Sequence, residues 1–175
     1  KGARVIGLGE RANQSPPGPQ HIRYPAPEGA GEKTHRYLRS VESAVRRGQA
    51  VARALIGLKQ KGFVPDIICC HPGWGEGLYL RDVFPDAKLL EYCEYYYRST
   101  GGDVGFDPGQ DVTLDEQARV RTLNMTQLQS LEAADWGISP TIWQRSRYPD
   151  FIQAKTWVVL VGVDAAFATP NGATT

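Results

Sequence analysis

Hydrophobic and polar positions change their spacing along the chain, and these changes divide it into short strands and longer helices. Six short apolar or β-branched runs predict strands over residues 4–9, 20–24, 67–70, 88–94, 137–139 and 157–161. Apolar positions spaced three and four residues apart predict helices over about residues 34–61, 78–83 and 114–134, and from about 140 to before Pro149. Strands that alternate with helices, several of them apolar throughout, are typical of an α/β fold whose parallel sheet has helices on both faces.

The longest helical pattern has Gly48 near its middle, so it fits one long helix or two helices joined at that glycine. Its apolar positions are Leu38, Val41, Val45, Ala52, Leu55 and Leu58. The charged positions between them are expected to form a solvated face: Arg39, Arg46, Arg47 and Lys59.

A loop with three glycines follows the predicted strand at residues 67–70. The apolar run stops at His71 and Pro72, and the chain then passes through Gly73, Gly75 and Gly77. Glycine can adopt positive φ and lets a ligand approach the backbone closely. Because ligands of open parallel sheets bind beyond the carboxyl ends of the strands, we expect residues 71–77 to lie at the functional edge.

Length, charge and hydropathy exclude several classes of protein. The 175 residues suffice for one domain with its own core, and a net charge of +1 argues against a nucleic-acid partner. No apolar run approaches the roughly 18 residues that span a bilayer, so no transmembrane segment is expected. No signal-peptide pattern opens the chain, and a cytoplasmic protein is the expectation.

The three cysteines predict neither a disulfide nor a metal site. Cys69 and Cys70 are neighbours that would point to opposite faces of a strand, and an odd number of cysteines suits a reducing compartment. The contiguous Cys69, Cys70 and His71 cannot converge on one ion, and no other set of residues has metal-ligand spacing. No metal is therefore expected.

Three long stretches resemble the N-terminal domain of family-four glycosyltransferases of the GT-B fold: HPGWGEGLYLRDVFPDAKLLEYCEYYYR, GGDVGFDP and LEAADWGISPTIWQRSRYP. More narrowly, they are similar to the subgroup with a His-Pro/Ala-Gly-Trp-Gly-Glu loop and a Phe/Tyr-rich strand that ends in Tyr-Arg. The likeness runs from about Ala3 to Asp164, nearly the whole chain.

The resemblance implies a Rossmann-like parallel sheet and transfer of a hexose from a nucleotide-sugar donor to a carbohydrate or lipid-linked acceptor. It further implies retention of the anomeric configuration and no essential metal or other cofactor. Residues 1–164 would form the acceptor-side domain, and residues 165–175 would begin the linker to a donor-binding C-terminal domain. Without that domain we expect the chain to be inactive, and we expect a cytoplasmic location or a peripheral one at a membrane surface.

The family pattern also places a strand before Lys1. In a sheet of order 3-2-1-4-5-6 the first strand is central, so its absence would leave unpaired backbone groups in the middle of the sheet. We expect this gap to be closed by re-pairing, by another chain in a homo-oligomer, or by a segment outside the sequence shown.

Three side chains of the 71–77 loop are candidate functional groups, each with a simpler alternative. His71 can act as a general base or hydrogen-bond a sugar or phosphate, or it can cap the loop at the strand end. Trp74 can stack on a pyranose ring together with the flanking Gly73 and Gly75, or it can plug the core. Glu76 can accept hydrogen bonds from acceptor hydroxyls, or it can cap the next helix.

Two further groups follow later strands. Glu94 and Arg98 can meet the same crevice, or Arg98 can form an ion pair with Glu94 or Asp107. Ser139 and Arg145 lie where a strand passes into a helix, and there they can receive a donor phosphate. A helix cap at Ser139 or Thr141 explains part of that pattern without a ligand.

The sequence is also compatible with two other functional classes. One is a carbohydrate- or nucleotide-binding module that performs no transfer. The other is a hydrolase or reductase fragment, against which the absence of Gly-x-Ser-x-Gly and of a dinucleotide fingerprint counts.

Overall fold

The computed structural model describes residues 2–11, 20–102, 104–107 and 112–162. Strands and helices follow one another in this order: β1 (Ile6–Glu10), β2 (Gln20–Tyr24), α1 (Arg39–Gln60), β3 (Ile67–Cys70), α2 (Leu80–Val83), β4 (Lys88–Tyr92), α3 (Leu114–Leu123), α4 (Met125–Ala133), β5 (Trp136–Ser139), α5 (Ile142–Arg147), α6 (Asp150–Gln153) and β6 (Thr156–Val158). The predicted linker at residues 165–175 lies outside the described residues.

All strand pairs are parallel, and they form two sheets. β1 pairs with β2, while the second sheet has the order β3-β4-β5-β6. The predicted α/β fold with a Rossmann-like parallel sheet is therefore confirmed. The sheet is divided between β1 and β3, which is where the expected gap lies.

Helix α1 is continuous through Gly48, so the pattern produces one helix rather than two. A Cβ at Gly48 would lie 2.7 Å from the carbonyl oxygen of Gly75. Glycine is needed here because the helix passes directly beneath the 71–77 loop.

The helix predicted over residues 114–134 is divided at Asn124 into α3 and α4. The Asn124 side chain forms two hydrogen bonds with the backbone of Tyr97. Its Oδ1 accepts from the Tyr97 N–H at 3.0 Å, and its Nδ2 donates to the Tyr97 carbonyl oxygen at 2.8 Å. Gln127 donates to the same Asn124 oxygen at 2.6 Å. The two long-range hydrogen bonds to Tyr97 explain a break that the periodicity of the segment does not contain.

One core joins the two sheets. Tyr24 of β2, Val51 and Leu55 of α1, and Leu89 of β4 belong to one buried cluster, against which Leu8 and Ile68 also pack. A second cluster lies beyond it and contains Cys93, Leu131, Tyr148 and Ile152.

The two faces of the four-stranded sheet differ in burial. Glu91, Ser139 and Thr156 share the face that lies against the helices, and all three are buried. On the opposite face, Ile67, Trp136 and Trp157 are exposed, with Leu90 and Ile138 half-buried between them.

Candidate functional site

The loop at residues 71–77 leaves the carboxyl end of β3 and turns over α1. Gly75 has φ +103°, and a Cβ there would lie 2.2 Å from the carbonyl oxygen of Ala44 in the helix. A Cβ at Gly77 would lie 2.9 Å from the Glu91 carboxylate and from the Ser130 hydroxyl. Only glycine fits both positions, so these two residues bring the loop close to the core.

His71 hydrogen-bonds on both sides of its ring. The Gly73 N–H donates to Nδ1 at 3.2 Å, and Nε2 lies 3.3 Å from Oε2 of Glu94. Because Nδ1 accepts a backbone hydrogen bond, the proton of a neutral ring is on Nε2 and points to Glu94. His71 therefore caps the loop and, at the same time, joins the ends of two neighbouring strands.

Trp74 projects from the loop beside this pair. Its side chain is 61% exposed, and its ring meets the His71 ring edge-on with centroids 5.5 Å apart. Arg47 of α1 donates to the Trp74 carbonyl oxygen at 3.1 Å. The indole thus presents a free apolar face from a backbone that the helix holds in place.

Glu76 lies in a polar network between the two sheets. It accepts a hydrogen bond from the Tyr24 hydroxyl at 3.0 Å and lies 3.9 Å from the Arg47 guanidinium, which also contacts Glu10 at 2.7 Å. Burial, followed by the charge of Glu76, raises the pKa of Tyr24 well above its usual value, so the phenol stays protonated and donates.

The prediction that the arginines of the long helix form a solvated face is wrong for Arg47. The guanidinium is half-buried and ion-paired with Glu10, because α1 passes beneath the loop at this point. Glu10 and Tyr24, which complete the network, were not among the predicted site residues. Their position at the last residues of β1 and β2 is the signal that could have identified them.

Glu91 of β4 is another residue that the sequence did not single out. Its side chain is fully buried beneath the loop, and neither carboxylate oxygen has a hydrogen-bond partner among the described residues. Burial, with a further contribution from the charge of Glu76, raises its pKa to about 8. The carboxyl group is therefore mostly protonated at neutral pH.

Of the other predicted residues, Glu94 lies at the loop and Arg98 contacts a different segment. The Glu94 carbonyl oxygen accepts from Gln144 at 2.9 Å, while its carboxylate faces His71 and is half exposed. Arg98 donates to the carbonyl oxygen of Arg147 at 2.6 Å and lies over the Tyr96 ring. Asp107 is exposed.

Ser139 and Arg145 make hydrogen bonds within the fold. The buried Ser139 hydroxyl donates to the Cys93 carbonyl oxygen at 2.9 Å. Arg145 donates to the carbonyl oxygens of Gln153 and Thr156 at 2.7 and 2.8 Å. Thr141 caps helix α5, because its hydroxyl accepts a hydrogen bond from the Gln144 N–H at 3.1 Å. The helix-cap alternative is therefore correct for Thr141.

Two further kinds of site are absent from the described residues. No group of three or more His, Cys, Asp and Glu side chains within them is placed to hold a metal ion. None of the helices within them combines the length and apolar content needed to cross a bilayer.

The carboxyl end of the sheet thus carries the His71–Glu94 pair and an exposed indole. The model of the glycosyl transferase family 4 group matches residues 1–168, and the chain belongs to this family. No curated protein matches the chain. The family assignment supports a role in glycosyl transfer, with sugar donor and acceptor substrates.

Proposed function

We propose that residues 1–164 form the acceptor-side domain of a retaining hexosyltransferase, in the subgroup with the His-Pro-Gly-Trp-Gly-Glu loop. The observation that carries the proposal is the His71–Glu94 pair beside the exposed Trp74 at the carboxyl end of the sheet. In a member of this family, that edge is where an acceptor is expected.

Each side chain has a role in the proposal. The Trp74 indole, flanked by Gly73 and Gly75, stacks on the apolar face of the acceptor sugar. Glu94, whose carboxylate retains free acceptor positions, binds the reacting acceptor hydroxyl and takes its proton, while the Nε2–H of His71 orients Glu94. Glu76, which Tyr24 and Arg47 hold in place, also accepts hydrogen bonds from acceptor hydroxyls.

The proposal extends to the donor, the acceptor and the cellular location. A nucleotide sugar is the donor, held by a C-terminal domain that follows residues 165–175, and a carbohydrate or a lipid-linked sugar is the acceptor. The chain is inactive without that domain, needs no metal or other cofactor, and works in the cytoplasm or at a membrane surface. Arg98 and Asp107 border the acceptor. Ser139 and Arg145 act indirectly, because their polar groups support the strand ends.

A screen of nucleotide sugars against the intact enzyme tests this function. Transfer to a carbohydrate or lipid-linked acceptor is expected from one donor class, with the anomeric configuration of the product read by NMR. Glu76→Gln should lose most of the transfer while the protein still folds. Donor hydrolysis without any acceptor product, or full transfer by Glu76→Gln, would count against the proposal.

A further inference from the structure

A groove of about 690 Å³ lies between α5 and the loop that follows β4. The residues of the loop that border it belong to the GGDVGFDP stretch of the sequence. Among the described residues, the lining consists of Gly101, Gly102, Gly105, Phe106 and Trp143.

The lining combines flat aromatic side chains with bare backbone. Trp143 is 51% exposed and Phe106 is 83% exposed. Gly101 and Gly105 have φ +67° and +71°, and they present backbone N–H and C=O groups without a side chain in front of them. Aromatic faces suit the apolar side of a pyranose ring, and backbone polar groups suit its hydroxyls. The groove therefore has the chemistry of a sugar site.

Arg147 of α5 ties the two sides of the groove together. Its guanidinium lies over the Trp143 ring, 5.7 Å from the centroid, and donates to the Thr100 carbonyl oxygen at 3.1 Å. Arg98, in the segment that leads into the loop, donates to the Arg147 carbonyl oxygen at 2.6 Å. The indole and the glycine loop are thus held in position relative to each other, which lowers the cost of ordering them when a ligand binds.

The groove adjoins the proposed acceptor site along the carboxyl edge of the sheet. Gln144, the residue after Trp143, donates to the Glu94 carbonyl oxygen at 2.9 Å, and the Glu94 carboxylate faces His71. Trp74 follows β3 and Trp143 follows β5, with β4 between these strands. Two strand spacings are roughly 10 Å, a distance that a short chain of linked sugars covers.

We propose that the groove is a second sugar subsite, which binds a residue on the reducing side of the acceptor sugar that stacks on Trp74. The acceptor is then an oligosaccharide rather than a single sugar. This inference rests on the proposed function, because membership of the family supplies sugar substrates without saying where they bind.

The four tryptophans of the chain are separate NMR reporters through their indole N–H groups. The 175-residue chain is titrated with methyl β-glucoside, methyl β-cellobioside and methyl β-cellotrioside, and with the corresponding galactose and mannose series. In one series, the single sugar should shift the Trp74 signal alone, whereas a longer probe should shift Trp74 and Trp143 together. The longer probe should bind with a Kd roughly three- to tenfold lower, the usual contribution of a further ring contact.

A pair of tryptophan variants completes the test. Trp143→Ala should raise the Kd of the longer probe to that of the single sugar and leave the single-sugar Kd unchanged. Trp136→Ala is the matched control, because Trp136 is 49% exposed but lies at the amino end of β5. This variant should bind every probe as the wild type does.

The two ways of failing have different signatures. A longer probe that shifts Trp74 but not Trp143, or that binds no more tightly than the single sugar, would overturn the second subsite and leave the proposed acceptor site in place. Probes that all leave Trp74 unshifted would contradict the proposed function and, with it, this inference.

Discussion

At the scale of single residues, the buried Glu91 is the group whose energetics are most unusual. Its carboxyl is fully buried and has no hydrogen-bond partner in the part of the chain that the structure describes. It lies next to Cys70, and burial raises the pKa of that thiol well above its usual range. The sequence could not reveal the burial of Glu91. Side chains alternate between the two faces of a strand, so the Glu91 side chain could equally have pointed to solvent. The pairing of β4 with β3 and β5 turns it towards the helices.

We predict that Glu91 makes the protein less stable as pH rises. With a pKa of about 8 in the folded state against 4.5 when unfolded, the folded state retains the proton between these values. The free energy of unfolding should therefore fall from about pH 4.5 to about pH 8 and then level off. Glu91→Met should flatten this slope and stabilise the protein by roughly 1–3 kcal/mol at pH 8, as measured by urea unfolding.

Glu132→Gln is the control for that experiment, since Glu132 is exposed on α4. It should keep the wild-type slope. Asp135, whose pKa is lowered to about 2 chiefly by the Leu89 N–H and Arg81, loses its contribution only far below this window. A Glu91→Met protein with the wild-type slope would show that Glu91 is not the responsible group.

Trp74 is predicted to act in binding rather than folding. Trp74→Ala should raise the KM for the acceptor roughly three- to tenfold, the usual contribution of a ring contact, with little change in thermal midpoint because the indole is 61% exposed. Trp157→Ala, at the far edge strand β6 and 66% exposed, should leave KM unchanged. Equal effects of the two substitutions would remove the indole from the acceptor site.

At the scale of elements, the strands were predictable and the contacts between elements were not. The predicted runs at residues 20–24 and 67–70 match β2 and β3, because proline or charged residues flank both runs and mark where each strand begins and ends. The loop at residues 71–77 was also expected at a strand end. Its attachment to α1 through Arg47 and Gly48 could not be foreseen, since it depends on how a helix crosses the sheet.

Gly75 is predicted to be the least replaceable residue of the loop. Gly75→Ala must accommodate a positive φ and a Cβ contact of 2.2 Å with helix backbone, so it should destabilise the protein by at least about 2 kcal/mol. Gly57→Ala in α1 meets no atom within 4 Å and should stabilise it by roughly 0.5–1 kcal/mol. Differential scanning calorimetry measures both, and a neutral Gly75→Ala would show that the loop is not held against α1.

At the scale of the whole molecule, a divided parallel sheet places its polar groups at one end. The carboxyl ends of β1, β2 and β3 meet in the network of Glu10, Tyr24, Arg47 and Glu76. The α/β class and the division were predictable from alternating elements and a family pattern. The unequal burial of the two sheet faces was not predictable. An apolar run predicts that a strand is buried, but it does not show which element covers each face of the sheet.

The central claim is that the His71 ring serves an acceptor at this edge of the sheet. The most direct measurement compares kcat/KM for sugar transfer by His71→Ala and His35→Ala in the intact enzyme. His35 is a matched control, because its Nδ1 also accepts a backbone N–H two residues ahead, from Tyr37, yet it is exposed away from Glu94. We predict a loss of roughly 10²-fold or more for His71→Ala and near-normal transfer for His35→Ala. Equal transfer by the two variants, with both folded, would contradict the account.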